Sequence, residues 1–366
     1  MNERIFDVNS TNACKGVALM LLLWHHLFYQ YPAFGFVVYQ TAQLSRVCVA
    51  IFVILSGYGF SESVKLKDVG LLQFYKKRLT AIYSNYWFIA LIFVPVGVFC
   101  MGRTLQSAFT SHAYAKFIVQ MTGLHRFVYH EYGYNMTWWY MSVIVPLIVL
   151  FPFVYDAIKK YGLFALLCFL TILIPNNSII LVLNEWLLPF ALGIYLSQRN
   201  CIAAISRRLS AFGWRRYILL FVVTILIVAF RIYSPLLNGT RIDWLFGLLI
   251  ILFVFELTMT FSLIGKILGM LGGHLFNVFL FHTFIFYYFW KDFIYSFKQP
   301  ILIFMVLLSL CIALSEIIEY LKRFIGFYSI TQKLQSLRVL LNGNAFPTLI
   351  RPPSVKRKSA PNRKSG

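Results

Sequence analysis

The side chains best placed to do chemistry lie on one apolar stretch, Lys15-Gly16-Val17-Ala18-Leu19-Met20-Leu21-Leu22-Leu23-Trp24-His25-His26. As an α-helix it turns about 100° per residue, so eleven steps make about three turns plus 20°. Lys15 and His26 then share a face, roughly 16 Å apart along the axis, while His25 points about 100° away. A neutral imidazole accepts a proton near neutral pH. Ionisable groups inside a membrane helix are expensive, which makes function their default reading. A plainer reading stays open: a histidine hydrogen-bonded to a neighbouring helix, with Lys15 as an interface anchor.

The elements that must hold these residues are apolar throughout. Of the 366 residues, 60% are hydrophobic and 12% charged, with a mean hydropathy of +0.75. A soluble domain carries about 25% charged residues. The chain therefore reads as an all-α polytopic membrane protein, long enough for about ten spans of ~20 residues. The expected spans are 14–30, 45–62, 80–101, 137–156, 161–175, 179–197, 217–233, 243–263, 271–290 and 300–321. They form one membrane domain over 1–321, followed by a basic tail over 322–366 whose Pro/Lys/Arg/Ser end has the composition of a disordered segment. With the amino end inside, 8 of the 33 Lys and Arg fall outside and the rest inside, which predicts that both termini are cytoplasmic. The net charge of +21 is thus a topology signal and implies no nucleic-acid partner. The six cysteines show no metal-ligand spacing and read as packing residues. The longest polar connection, 102–136, holds His112, His125, His130 and Glu131. Trp138-Trp139-Tyr140 after it reads as an interfacial aromatic anchor.

Four stretches together resemble the acyltransferase-3 family of integral membrane O-acyltransferases. The first is Lys15-Gly16 with His26, similar to an Arg-Gly followed by a His eleven residues after the Arg. The second is Phe52-Val53-Ile54-Leu55-Ser56-Gly57-Tyr58, and the third runs from Phe74-Tyr75-Lys76-Lys77-Arg78 to Tyr86-Trp87. The fourth is Leu271-Gly272 through Phe279-Leu280-Phe281-His282. The likeness covers about 12–320. The chain departs from the family pattern at Asn12, Lys15, Ala81, Ser84 and Leu275.

The resemblance implies transfer of an acyl group, most often acetyl, from acetyl-CoA to a hydroxyl of a cell-surface polysaccharide or its lipid-linked precursor, at the bacterial inner membrane. It implies no cofactor beyond the donor, and no metal. A hydroxyl needs a positioned base as it attacks a thioester. His26 is the expected base and His25 its rival. Lys76, Lys77 and Arg78, with Lys15, are expected to meet the coenzyme A phosphates, although positive-inside anchoring alone also puts cations there. Ser56 and His282 complete the expected substrate contacts; packing or a helix–helix hydrogen bond would explain them as well. His274 reads as structural. Glu256, the acid deepest in an expected span, is expected to be paired or to relay protons. The alternatives are a polysaccharide or lipid-linked-sugar transporter, a small-molecule acyltransferase and a secretion-complex subunit.

Overall fold

The computed structural model describes residues 5–65, 70–109, 111–172, 181–233 and 242–336. Among these residues the chain is all-helical. Its helices are α1 (Val8–Phe28), α2 (Phe36–Ser45), α3 (Cys48–Lys65), α4 (Leu71–Cys100), α5 (Leu105–Ala108), α6 (Ala113–Met121), α7 (His125–Tyr129), α8 (Met141–Tyr161) and α9 (Leu163–Ile172). There follow α10 (Leu181–Gln198), α11 (Cys201–Ser210), α12 (Arg215–Tyr233), α13 (Asp243–Thr260), α14 (Ser262–Gly273), α15 (Leu275–Thr283), α16 (Lys291–Tyr295), α17 (Pro300–Phe324) and α18 (Phe327–Ser336). Each of the ten expected stretches has a helix beneath it. By length and composition, five helical stretches among the described residues can cross a membrane: Phe36–Lys65, Leu71–Cys100, Met136–Tyr161, Asp243–Thr260 and Pro300–Phe324. A sixth is the pair Ser262–Gly273 and Leu275–Phe289, bent by 53°.

α1 is the central element, packed against α14, α2, α3, α13, α15 and α17. It starts six residues before the expected span because Asp7 caps it. The Asp7 carboxylate accepts from the Ser10 backbone N–H and from the Ser10 hydroxyl, both at 2.8 Å. Glycine lets its neighbour come close. A Cβ built on Gly16 would lie 2.0 Å from the Leu268 carbonyl oxygen, and one on Gly272 would lie 1.9 Å from that of Asn12. A second crossing joins α3 to α10, where Gly57 faces Phe190 and Gly193 faces Ile54. The glycines of three of the four motifs are therefore helix-crossing points.

The expected span at 271–290 is broken. It bends between α14 and α15 at Gly272-Gly273-His274, and the helix widens to a π-helix over Phe284–Phe289, immediately after His282. Such widenings occur often at functional sites. Trp138 and Tyr140 are buried within the protein. The Trp138 indole donates to the Leu280 carbonyl at 2.8 Å, which pins the start of α8 onto α15. α17 runs past the expected end at 321 to Phe324, and α18 follows it. The rest of the expected tail, 337–366, lies outside the described residues.

Candidate active site

The two ends of α1 open on two cavities. Near its amino end, Lys15 lines a cavity of about 510 Å³ together with Asn12, Ser56, Arg78, Asn85, Tyr140 and Phe279. Near its carboxyl end, His25 and His26 line a second cavity of about 760 Å³ with Tyr29, Arg46, Arg126, Trp139, Glu185 and Trp186. We call these the lower and upper cavities. Their linings are neighbours along the same chain segments. Cys48 and Val49 face the upper cavity and Phe52, the next turn of α3, the lower; Trp139 faces the upper and Tyr140 the lower.

Three rings stand at the inner end of the lower cavity. Phe52 lies 6.5 Å from Tyr140 and 6.0 Å from Phe279, and Tyr140 lies 5.1 Å from Phe279, all edge to face. The Ser56 hydroxyl donates to the Phe52 carbonyl at 2.8 Å. Beyond Phe279 comes His282, at 6.4 Å between ring centres, and then His26, 5.0 Å from His282.

The two imidazoles are held differently. His282 is fully buried, and its Nδ1 lies 2.8 Å from the Val278 carbonyl and 3.2 Å from that of Phe279. A carbonyl only accepts, so Nδ1 carries the proton and Nε2 holds a lone pair. Among the described residues that Nε2 is buried with no hydrogen-bond partner, and so is Nδ1 of His26. A buried polar atom left without a partner costs about 1–3 kcal/mol, so each of these nitrogens is poised to take a hydrogen bond or a proton. His26 lines the upper cavity, and His282 lies behind it, outside that lining. His25 is anchored elsewhere: its Nδ1 donates to the Ala42 carbonyl at 2.8 Å, and its ring stacks on Tyr29 at 4.6 Å.

The lower cavity is cationic, and no carboxylate lines it. Lys15 Nζ donates to Asn12 Oδ1 at 3.2 Å. Arg78 donates to the Ser63 hydroxyl at 2.5 Å and lies over the Phe60 ring at 4.5 Å. Lys76, half-buried, and Lys77, exposed, stand outside the lining. Of the expected set, His26 and His25 line the upper cavity with His282 packed 5.0 Å from His26, and Lys15, Ser56 and Arg78 line the lower.

Lys322 matters although the sequence did not flag it, and the structure shows what holds His274 and Glu256. Lys322, 1% exposed, donates to Asn85 Oδ1 at 2.7 Å, to Asn277 Oδ1 at 2.8 Å and to Glu319 at 2.9 Å. It thereby fixes Asn85 in the lower cavity wall. The Glu319-x-x-Lys322 spacing on an apolar helix was the available signal. His274 ties the bend to α17 through Ser315 at 3.0 Å and Glu316 at 3.3 Å. Glu256 pairs with Arg216 at 2.8 Å and is bonded by Ser206, so it is held in an ion pair.

The 102–136 stretch folds over the upper cavity and contributes Arg126, His130 and Tyr132 to it. It is held from within by Lys116–Glu131 at 2.9 Å and by Arg103, which donates to the Tyr134 carbonyl and lies over the Tyr288 ring at 3.6 Å. His125 is buried beneath it, bonded to the Lys116 carbonyl at 3.2 Å. Burial lowers the His125 pKa below the usual histidine value, against the opposing pull of that carbonyl and Glu131.

Among the described residues no group of three or more His, Cys, Asp or Glu could hold a metal ion. Comparison with curated proteins and with solved structures returned no match. A family model described as "Acyltransferase domain" matches residues 8–320, a range that takes in both cavities and the histidine pair between them, and the chain belongs to the acyltransferase-3 family.

Proposed function

We propose that the chain is an O-acetyltransferase of the bacterial inner membrane, with ten spans and both termini in the cytoplasm. It moves an acetyl group from acetyl-CoA in the lower cavity to a hydroxyl of a cell-surface polysaccharide, or its lipid-linked precursor, in the upper one. The observation that carries this reading is the pair of buried, unpartnered ring nitrogens, His26 Nδ1 and His282 Nε2, set between a cationic cavity and an aromatic one.

The donor carries phosphates at one end and a thioester at the other. Lys15 and Arg78 suit the phosphates. The Phe52, Tyr140 and Phe279 rings suit the apolar arm and deliver the thioester towards the histidines. The acceptor hydroxyl meets His26. As its oxygen bonds to the thioester carbonyl carbon, its proton passes to the imidazole. The tetrahedral intermediate then collapses, the carbon–sulfur bond breaks, and the leaving thiolate takes the proton. His282, with Nδ1 anchored, packs beside His26 and offers a second acceptor nitrogen. General-base help of this kind is worth roughly 10²–10⁴-fold.

The test is proton NMR of the surface polysaccharide from cells with and without the intact gene, before and after mild alkali. Alkali-labile acetyl signals that need the gene support the reading. Acetylation that never changes while glycan export falls would replace it with a transporter.

A further inference from the structure

The upper cavity carries charges that acetyl transfer does not use. Arg46, at the carboxyl end of α2, is half-buried in the wall, and its guanidinium has no hydrogen bond or ion pair among the described residues. Glu185 of α10 is also half-buried in that wall and equally without a partner there. The two do not pair with each other. The wall's other guanidinium is already engaged: Arg126 donates to the His130 carbonyl at 2.6 Å and lies over the Tyr132 ring at 4.7 Å. Beside them, the indoles of Trp139 and Trp186 stand 6.1 Å apart, tilted by 40°.

A half-buried guanidinium with no counter-charge is poorly solvated, and an oxyanion in the cavity would complete it with a forked pair of hydrogen bonds. A carboxylate accepts two hydroxyl donors at once, which suits a vicinal diol. Indole faces suit the C–H face of a sugar ring. The cavity's 760 Å³ lies within the range of about 300–1,000 Å³ typical of small-ligand sites. His26 lines the same cavity as these features, so a bound ring would present a remaining hydroxyl to it.

We propose that the upper cavity selects an acidic sugar, with Arg46 on an oxyanion substituent, Glu185 on two hydroxyls, and Trp139 and Trp186 on the ring. This rests on the acyl-transfer reading and narrows its acceptor. The oxyanion is a uronic-acid carboxylate or a sugar phosphate.

The experiment is a ligand titration of the full-length protein in nanodiscs, read by saturation-transfer NMR. The probes are methyl glucuronide, glucose 1-phosphate and neutral methyl glucoside. An anionic probe is expected to bind about tenfold or more tighter than the neutral one, as one charge-assisted contact supplies. Preference for the glucuronide assigns the carboxylate, and preference for the phosphate assigns the phosphoryl group. Arg46→Gln is expected to bring both anionic probes to the level of the glucoside, while Arg46→Lys keeps part of the preference and so excludes simple misfolding. Equal binding of all three probes, or a preference that survives Arg46→Gln, overturns the inference. Acetyl-CoA titrated into the same preparation separates the two claims. If it binds while the sugars show no preference, only the acceptor inference fails; if it does not bind, the acyl-transfer reading fails.

Discussion

Replacing Gly272 by alanine probes how the fold positions the site. The new Cβ would stand 1.9 Å from the Asn12 carbonyl oxygen and 2.9 Å from the Gly16 amide nitrogen. Ordinary contact at a Cβ begins at 3.4 Å, so the backbones of α1 and α14 must part by roughly 1.5 Å at the crossing. Both obstacles are backbone atoms, and no rotamer change relieves them. Overpacking of this kind costs about 1–3 kcal/mol. The same movement shifts Asn12 and Lys15 in the lower cavity. It also shifts α15, which carries His282, against α1, which carries His26. A misplacement of about 1 Å at reacting groups lowers a rate by about 10²-fold. Gly272→Ala should therefore lower thermal stability modestly and acetyl transfer severely. Unfolding would be followed in detergent by a thiol-reactive dye, since Cys14, Cys48 and Cys311 are buried and become reactive on unfolding. The contrast with Gly269→Ala, where a Cβ meets nothing within 4 Å, sets the baseline. Gly272→Ala with the stability and rate of Gly269→Ala would refute the reasoning.

Other expectations follow from buried charges. Lys322→Met leaves Glu319, Asn277 and Asn85 without their shared donor and should cost about 3–5 kcal/mol, read as a lowered midpoint in the same dye assay. Glu256→Gln should lower stability through its stranded partner Arg216 but leave acetyl transfer within about threefold of the parent, whereas a proton relay would lose activity in proportion to the missing acid. The unfolded cap over 113–135 takes up a proton on His125 below about pH 6.5, whereas the folded cap resists it until lower pH. The cap's stability should therefore be full above that value and fall as pH drops through it. Hydrogen exchange of 113–135, corrected for intrinsic rates, should show weaker protection at pH 5.5 than at 7.5, and unchanged protection would refute this.

How much was legible beforehand depended on the kind of signal. Long apolar runs announce helices, and a described helix overlaps each of the ten expected stretches, five of which, or six with the bent pair, are long and apolar enough to cross a membrane. The break at Gly273-His274 was hidden, since apolar residues continue on both sides of it and two glycines do not themselves dictate a bend. The start of α1 was hidden for a smaller reason: one carboxylate, Asp7, caps a turn of polar residues that hydropathy excludes. His26 and His282 were each visible as ionisable groups on apolar helices, but their 5.0 Å approach is a tertiary fact. The Lys76-Lys77-Arg78 run was a mixed signal, in which Arg78 turns to the cavity while Lys76 and Lys77 lie outside its lining. Arg46 and Glu185 were the least legible. Each looks like an ordinary charge near a span end, and only the assembled wall shows that they face a common space.

The central claim is that His26 takes the acceptor's proton. It is tested most directly by the rate of acetyl transfer from acetyl-CoA with His26→Ala, measured beside acetyl-CoA binding by the same variant. The account predicts a rate lowered by roughly 10²–10⁴-fold with donor binding retained, because His26 lies at the upper cavity and the donor's phosphates at the lower. A His26→Ala protein that transfers acetyl within a few-fold of the parent rate, or a His25→Ala protein that loses more, would contradict it.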